Sequence, residues 1–243
     1  MGLKLKEQVI VVTGASSGLG ARMTRAFVNR GATVVCASRT EETLRRFVES
    51  IEGPGEATYV ATDVGSWTDA KRLASYAIEA YGQVDTLVNN AGVIDRDLLD
   101  GGQPSVVDLP VDIWETIVRT NLTGAFFCTK AVLPTMIEAD SGRIIHMSSG
   151  MGLEGRANRS AYAASKFGLE GFHESLAAEL DGTGVDSLVL EPGGGVDTDG
   201  FSSGMSAAER SERMDPEIIV DPAVRLVAGH GENGGRYVAT EEF

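Results

Sequence analysis

Cysteine and histidine are scarce in this chain of 243 residues, and long apolar runs are missing. Its two cysteines, Cys36 and Cys128, lie in apolar stretches and are expected to be buried thiols, not a disulfide or a metal pair. The three histidines are far apart and have no metal-ligand spacing. No apolar run approaches a membrane span, and the N-terminus has no signal-peptide core. We therefore expect no metal site and no membrane association, and we predict a cytoplasmic protein.

Basic charge is also scarce. The chain has 35 acidic and 21 basic residues, a net charge of −14, and only five of the basic residues are lysines. Such a surface repels nucleic acid and anionic membranes, so neither is an expected partner. An acidic, lysine-poor surface is typical of proteins from a halophilic, salt-saturated cytoplasm, where ions screen the repulsion between carboxylates. An acidic protein from an ordinary cytoplasm is the alternative.

Short β-branched runs alternate with helical patterns along the chain, without a linker or a repeat. Strands are predicted at residues 8–13, 33–37, 57–61, 85–88, 143–147, 185–190 and 236–239. Helices are predicted at residues 19–30, 41–51, 67–81, 111–139 and 161–180, with a small helix after the Gly-rich loop and before the last strand. This alternation indicates right-handed crossovers and strands buried on both faces. The sequence therefore predicts a single α/β domain over residues 1–243, a Rossmann-type doubly wound parallel sheet of about seven strands with helices on both faces.

A glycine-rich turn follows the first predicted strand. Its sequence is Thr-Gly-Ala-Ser-Ser-Gly-Leu-Gly, which places glycines at Gly14, Gly18 and Gly20. Glycines let the backbone approach a pyrophosphate closely, and the next helix offers its N-terminus to the negative charge. The turn therefore indicates a dinucleotide site, although an ordinary tight turn between strand and helix is the alternative.

Tyr162 and Lys166 lie four residues apart in a predicted helix and therefore on the same face of it. A tyrosine normally titrates near ~10 and transfers protons poorly at neutral pH. A nearby cation favours the phenolate, so we expect Lys166 to bring the pKa of Tyr162 down toward a working range. Together with the glycine turn, this pair indicates a reaction on a bound dinucleotide.

Small and polar residues also follow the ends of the predicted strands. In a doubly wound sheet these strand ends line one ligand crevice. The pairs are Thr13-Gly14, Ser38-Arg39, Asp63-Val64, Asn89-Asn90, Ser148-Ser149 and Pro192-Gly193.

In their order and spacing, these motifs resemble the short-chain dehydrogenase/reductase family over essentially the whole chain. The resemblance extends to its NADP-dependent ketoreductases, such as the 3-oxoacyl-carrier-protein reductases. It implies that Tyr162 exchanges a proton with the substrate oxygen, while Ser149 hydrogen-bonds that oxygen. Lys166 would bind the nicotinamide ribose, and Asn121 would kink its helix and hold a proton-relaying water. Ser148 is the rival to Ser149, and a turn cap is the alternative for either serine.

The resemblance also implies the residues that contact the cofactor. Asp63 would bind the adenine; a cap of the next helix is the alternative, and the two roles are compatible. The full set is Gly14, Ser16, Ser17, Gly18, Leu19, Gly20, Ser38, Arg39, Thr40, Asp63, Val64, Asn90, Ala91, Gly92, Tyr162, Lys166, Pro192, Gly193, Val196 and Thr198.

The end of the second strand favours NADP over NAD. Members that prefer NAD carry an acidic residue there, which repels a 2′-phosphate. This chain has Ser38, Arg39 and Thr40, whose guanidinium and hydroxyls can bind phosphate. The departure is Ser17, where many NADP-binding relatives have a second basic residue. A solvated Arg39 at a strand end, with no cofactor contact, is the alternative.

Two segments are predicted to decide the substrate, residues 94–110 with a hinge at Gly101-Gly102 and residues 193–216. Both are expected to be lids or surface loops. Their neighbouring apolar residues suggest a partly hydrophobic ketone or alcohol as substrate: Met151, Leu153, Phe201 and Met205.

Two further expectations concern assembly and class. Apolar helix faces predict a homodimer or homotetramer. The residues on these faces are Phe126, Phe127, Phe167, Leu169 and Phe172. A role in the core alone is the alternative for them. A non-catalytic protein of this fold that senses dinucleotides or scaffolds partners is the alternative to an enzyme. Such proteins lose members of the catalytic set, which is complete here.

Overall fold

The computed structural model describes residues 3–100, 102–198, 202 and 204–241. Gly101 of the expected hinge and Phe201 of the expected substrate lining lie outside these residues. Within the described part of the chain, the strands form a seven-stranded parallel sheet in the order β3-β2-β1-β4-β5-β6-β7. The strands are β1 (Val9–Thr13), β2 (Thr33–Ser38), β3 (Glu56–Ala61), β4 (Thr86–Asn89), β5 (Gly142–Met147), β6 (Val185–Glu191) and β7 (Arg236–Val238).

Helices cover both faces of this sheet, as the alternation predicts. The longer ones are α1 (Gly18–Val28), α2 (Glu41–Glu49), α3 (Trp67–Tyr81), α5 (Val111–Val118), α6 (Gly124–Glu138), α7 (Ser160–Glu179) and α9 (Val220–Val227). The predicted strands and helices are confirmed with ends that differ by at most two residues, apart from the helix predicted over 111–139. In the described residues no helix is both long enough and apolar enough to cross a membrane.

Burial on both faces explains why the strands read as continuous apolar runs. In β1, Ile10 and Val12 pack into one core with Phe27 of α1, whereas Val9 and Val11 face a second core with α3 and α6. All five residues of β1 are buried. Cys36 and Cys128 are free, buried thiols, as predicted, and burial raises the pKa of each to about 12.

Three segments differ from the sequence prediction. The helix predicted over 111–139 is interrupted by a π-helical turn, Arg119–Thr123, between α5 and α6. The expected loop 94–110 contains a short helix, α4 (Asp95–Leu98). The expected loop 193–216 contains α8 (Ala207–Ser211), which a capping box between Ser206 and Glu209 starts. Short polar helices of this kind have no apolar period long enough to be read from sequence.

Candidate active site

The glycine-rich turn joins β1 to α1 at the carboxyl edge of the sheet, where β1 and β4 are neighbours and the strand order reverses direction. Gly14 has a φ of +64°, and a Cβ at Gly20 would lie 2.2 Å from the carbonyl oxygen of Gly14. The Asn90 side chain, which follows β4, donates to the carbonyl of Thr13 at 2.8 Å and thus fixes the turn. Ser17, at the N-cap of α1, makes no side-chain capping hydrogen bond. The first amides of α1 therefore remain available for an anionic group.

The end of β2 presents hydrogen-bond donors that no carboxylate of the described residues neutralises. Ser16 Oγ donates to Ser38 Oγ at 3.1 Å, which links the glycine turn to the second strand. Arg39 is exposed and, among the described residues, forms no ion pair within 4.0 Å. Thr40, at the N-cap of α2, makes no capping hydrogen bond through its side chain. These donors fit the 2′-phosphate of NADP.

The turns after β3 and β4 form the next part of this edge. Asp63 Oδ1 accepts from the amide of Gly65 at 3.0 Å, while the cap of α3 is Ser66, which accepts from Asp69. Asp63 is therefore not the helix cap. Thr13 Oγ1 accepts from the amides of Asn90 and Ala91, each at 3.0 Å, and holds the Asn90-Ala91-Gly92 turn against β1.

The serine, tyrosine and lysine meet where β5 and α7 approach one another. Tyr162 is buried, and Ser149 hydrogen-bonds its hydroxyl. Ser149 also caps the 3-10 turn Gly150–Gly152 by accepting from Met151 at 3.3 Å. The hydroxyl of Ser148 donates instead to the buried carboxylate of Glu170. Ser149, not Ser148, therefore faces the tyrosine.

Lys166 does not lower the pKa of Tyr162 in this structure, so that sequence expectation is wrong for the protein alone. Burial raises the pKa of Tyr162 to about 12, and the Ser149 hydrogen bond opposes this only in part. The Lys166 ammonium lies 5.6 Å from the centre of the tyrosine ring and donates to the carbonyl of Met147 at 2.7 Å. The charge of Lys166 is thus held by a backbone carbonyl, while the hydroxyl of Tyr162 is shielded from solvent.

Asn121 lies in the π-helical turn, which agrees with the expected helix kink. Its amide donates to the carbonyl of Val93 at 2.9 Å and accepts from the amide of Val93 at 2.8 Å. It also donates to Ser165 Oγ, one residue before Lys166. Asn121 therefore ties the turn after β4 to the catalytic helix α7. Its role in holding a water stays a prediction.

The loop after β6 closes the other side of the crevice. Gly193 has a φ of +86°, and a Cβ there would lie 2.4 Å from Thr240 Oγ1. Val196 forms a parallel β-bridge with Met214. Thr198 lies close to Gly18, since a Cβ at Gly18 would lie 3.5 Å from the Thr198 side chain. A cavity of about 1010 Å³ extends from Gly18 and Thr198 along the outside of α1. Tyr162 is not among its lining residues.

Two buried ionic groups support the site and were missed in the sequence. Asp95 of α4 pairs with Arg159, which immediately precedes α7. Behind Ser148, Arg236 of β7 pairs with Glu191 at 2.7 Å and approaches Glu170 at 3.5 Å. Glu170 could have been noticed, because it follows Lys166 by four residues on the same helix face. The partners of Asp95 and Arg236 are too distant in sequence to be found.

Burial of Lys166 predicts a gain in stability when its charge is removed. Burial lowers the pKa of Lys166 from 10.5 to about 8, although Glu170 raises it. The unfolded chain binds this proton more tightly, so the charged lysine destabilises the folded state at neutral pH, and the cost fades as pH rises from about 8 to 10.5. We expect Lys166→Met to raise the Tm at pH 7 by about 2–4 °C, corresponding to ~1 kcal/mol.

Thermal unfolding at pH 7 and pH 10 measures this effect. The gain should shrink at pH 10, and the exposed control Lys4→Met should leave the Tm unchanged at both values. A lower Tm for Lys166→Met at both pH values would show that the hydrogen bond to Met147 outweighs the cost of burial.

Comparison with known proteins gives a consistent result. A family model described as short chain dehydrogenase matches residues 8–208. A short chain dehydrogenase of Pseudocercospora fijiensis is 40% identical over 193 residues, which cover 78% of this chain but only 60% of that protein. The 3-oxoacyl-[acyl-carrier-protein] reductase FabG of Thermotoga maritima is 34% identical over 192 residues, covering 79% of this chain and 75% of that protein.

A solved structure extends the match to the whole fold. It is a crystal structure from Beutenbergia cavernae, provisionally named an NAD(P)-dependent gluconate 5-dehydrogenase, with NADP bound at low occupancy. The two chains superpose with a TM-score of 0.86 at 29% identity, over 98% of this chain and 96% of that one.

Proposed function

Because the chain belongs to the short-chain dehydrogenase family, whose members are oxidoreductases, we propose that it transfers a hydride between NADP(H) and a ketone or secondary alcohol. The observation that carries this proposal is the buried Tyr162, hydrogen-bonded by Ser149, beside Lys166 at the same sheet edge as the glycine turn. A binding site alone has no need of a buried phenol next to an ammonium group.

Each residue of the site has a distinct task in the proposed reaction. The nicotinamide supplies or accepts the hydride, which is the chemistry of the cofactor. Tyr162 Oη gives its proton to the substrate oxygen in reduction and takes it back in oxidation, while Ser149 Oγ holds that oxygen in place. Lys166 binds the nicotinamide ribose, and a water held near Asn121 renews the proton.

Lys166 also links cofactor binding to the acidity of Tyr162. In the protein alone, the lysine is held by the carbonyl of Met147 and the pKa of Tyr162 is high. To hold a ribose hydroxyl of the cofactor, Lys166 would leave this carbonyl and could bring its charge closer to the phenol. The pKa of Tyr162 would then fall, since a nearby cation favours the phenolate. Tyr162 would then be activated only after the cofactor binds.

The alternative is a dinucleotide-binding protein without catalysis. Arg39 and the glycine turn are compatible with an enzyme and with a binding protein. A protein that only binds the dinucleotide has no use for Tyr162 as a proton donor. Initial rates of NADPH oxidation with a panel of ketones separate the two. The enzyme proposal predicts turnover with at least one ketone, whereas tight NADPH binding without turnover on any ketone or alcohol supports the alternative.

Exposed aromatic residues on the α5, α6 and α7 helices support the proposal of a dimer or tetramer. Trp114 and Phe126 are each 39% exposed and Phe167 is 46% exposed, whereas Leu169 is buried and belongs to the core. The net charge of −14 per chain opposes assembly at low ionic strength. We expect light scattering to show a larger assembly as KCl is raised to the molar range. A monomer at every salt concentration would show that these faces remain solvated.

A further inference from the structure

The substrate side of Tyr162 is formed by charged residues from two segments. The ion pair between Asp95 and Arg159 joins the start of α4 to the start of the catalytic helix α7, three residues before Tyr162. Asp97, also on α4, raises the pKa of Tyr162, whereas Arg159 lowers it, although burial is the larger cause. Helix α4 and Arg159 therefore border the reacting phenol.

Arg96 lies in the same helix, and two of its donor nitrogens are buried. Its Nε and Nη1 atoms are inaccessible to solvent and donate to no acceptor among the described residues. A guanidinium is always charged, and leaving its donors unpaired in a buried position is costly. Ordered water or a bound ligand can supply the missing acceptors.

Arg213, in the segment after α8, is a third arginine near Arg96 and Arg159. Its Nη1 donates to the carbonyl of Val196 at 2.8 Å, and its guanidinium lies over Gly195, where a Cβ would be 3.5 Å from Cζ. Burial lowers the pKa of Arg213, and the charges of Arg96 and Arg159 lower it further. Three guanidinium groups are therefore close enough to repel one another.

The nearby carboxylates in the described part of the chain do not form ion pairs with Arg96 or Arg213. Asp95 is taken by Arg159, and Asp197 pairs with Arg210 at 2.8 Å. Glu209 is exposed and accepts from Ser206 in the cap of α8. Asp97 remains, half-buried, and burial raises its pKa. Among the described residues, Arg96 and Arg213 have no carboxylate of their own within 4.0 Å.

We propose that Arg96 and Arg213 bind an anionic group of the substrate, a carboxylate or a phosphate, beside Tyr162. The substrate is then a keto acid or keto phosphate, or the corresponding hydroxy compound, and not the partly hydrophobic ketone that the sequence suggested. Arg159 serves as a positioning residue through Asp95. This inference rests on the proposed oxidoreductase function.

Matched pairs of ketones test the inference by rates of NADPH oxidation. One set is 3-oxobutanoate, 4-oxopentanoate and 5-oxohexanoate against their methyl esters, which lack the negative charge and are larger by one methyl group. The other is dihydroxyacetone phosphate against dihydroxyacetone, which distinguishes phosphate from carboxylate. We expect kcat/KM for the best anionic member to exceed that of its neutral partner by at least about tenfold, as for a charged hydrogen bond.

Single substitutions assign the preference to these arginines. Arg96→Gln and Arg213→Gln should each remove most of the anion preference and change kcat/KM for the neutral partner by less than about threefold. Arg156→Gln, an exposed arginine in the loop before Arg159, is the matched control and should keep the preference. Asp97→Asn should act in the opposite direction, since it removes the negative charge beside Arg96. Arg213→Gln tests the inference even if Arg96→Gln does not fold.

Two negative results have different meanings. If neutral ketones are reduced as well as anionic ones, and the arginine variants leave that ratio unchanged, the anion site is refuted and the proposed function stands. If no ketone of either set is reduced, the inference and the proposed function both fail.

Discussion

Replacing Tyr162 with phenylalanine is expected to abolish ketone reduction, with a loss in kcat of at least about 100-fold, because general acid catalysis contributes on that scale. The substitution removes one oxygen atom from a buried ring and leaves the packing of Tyr162 with Val93, Ile94 and Ala161 in place. The Kd for NADPH should stay within about twofold of the wild-type value. Stopped-flow or steady-state rates, together with titration of cofactor fluorescence, measure both quantities.

Tyr76→Phe provides the control for loss of a phenol. Tyr76 is exposed, and its hydroxyl shares a hydrogen bond of 2.7 Å with Thr58 on the surface. This variant should retain wild-type rates. Substantial reduction by the Tyr162→Phe protein would point to another proton donor and refute the proposed mechanism.

The second large effect is expected from Arg39→Ala. Arg39 has no ion-pair partner within the described residues, so its charge is free to meet a 2′-phosphate. Its removal should weaken NADPH binding by about 1–3 kcal/mol, roughly 5- to 150-fold, and leave NADH binding nearly unchanged. Isothermal titration with each cofactor measures the two affinities directly.

Arg46→Ala controls for the loss of one positive charge near this end of the sheet. Arg46 is exposed on α2 and paired with Glu42 at 2.7 Å. It should leave the preference for NADPH intact. If Arg39→Ala lost NADPH and NADH affinity equally, Arg39 would not be the residue that binds the 2′-phosphate.

Much of the fold could be predicted from patterns among residues that are close in the sequence. The β1 strand and the glycine turn after it are specified by adjacent residues, since both faces of β1 are buried and Gly14 must adopt a positive φ. The spacing of Tyr162 and Lys166 follows from the period of one helix. In the same way, the strand ends could be assigned to one edge because the strands are parallel.

Properties that depend on contacts between distant segments could not be predicted. The pKa of Tyr162 depends on how completely the fold excludes water, and burial outweighs the charge of Lys166 in the protein alone. The pairing of Asp95 with Arg159 spans 64 residues and gives no local signal. Helix α4 was missed because it is only four residues long.

Other sequence predictions remain untested. They concern the cytoplasmic location, the halophilic origin suggested by the net charge of −14, and the cofactor contacts themselves. Between the two serines, the structure favours Ser149 as the substrate-binding residue, since Ser148 is held by Glu170 and Ser149 hydrogen-bonds Tyr162.

Deuterium transfer from cofactor to product distinguishes catalysis from cofactor binding alone. The wild-type protein is incubated with NADPH that carries deuterium at both C4 positions of the nicotinamide and with the anionic and neutral ketones, and the alcohol products are analysed by mass spectrometry. We expect one deuterium on the carbinol carbon with wild type, and labelled alcohol formed at least about 100-fold more slowly with Tyr162→Phe. Bound NADPH without labelled alcohol from any ketone would contradict this expectation and show a protein that binds the cofactor without catalysis.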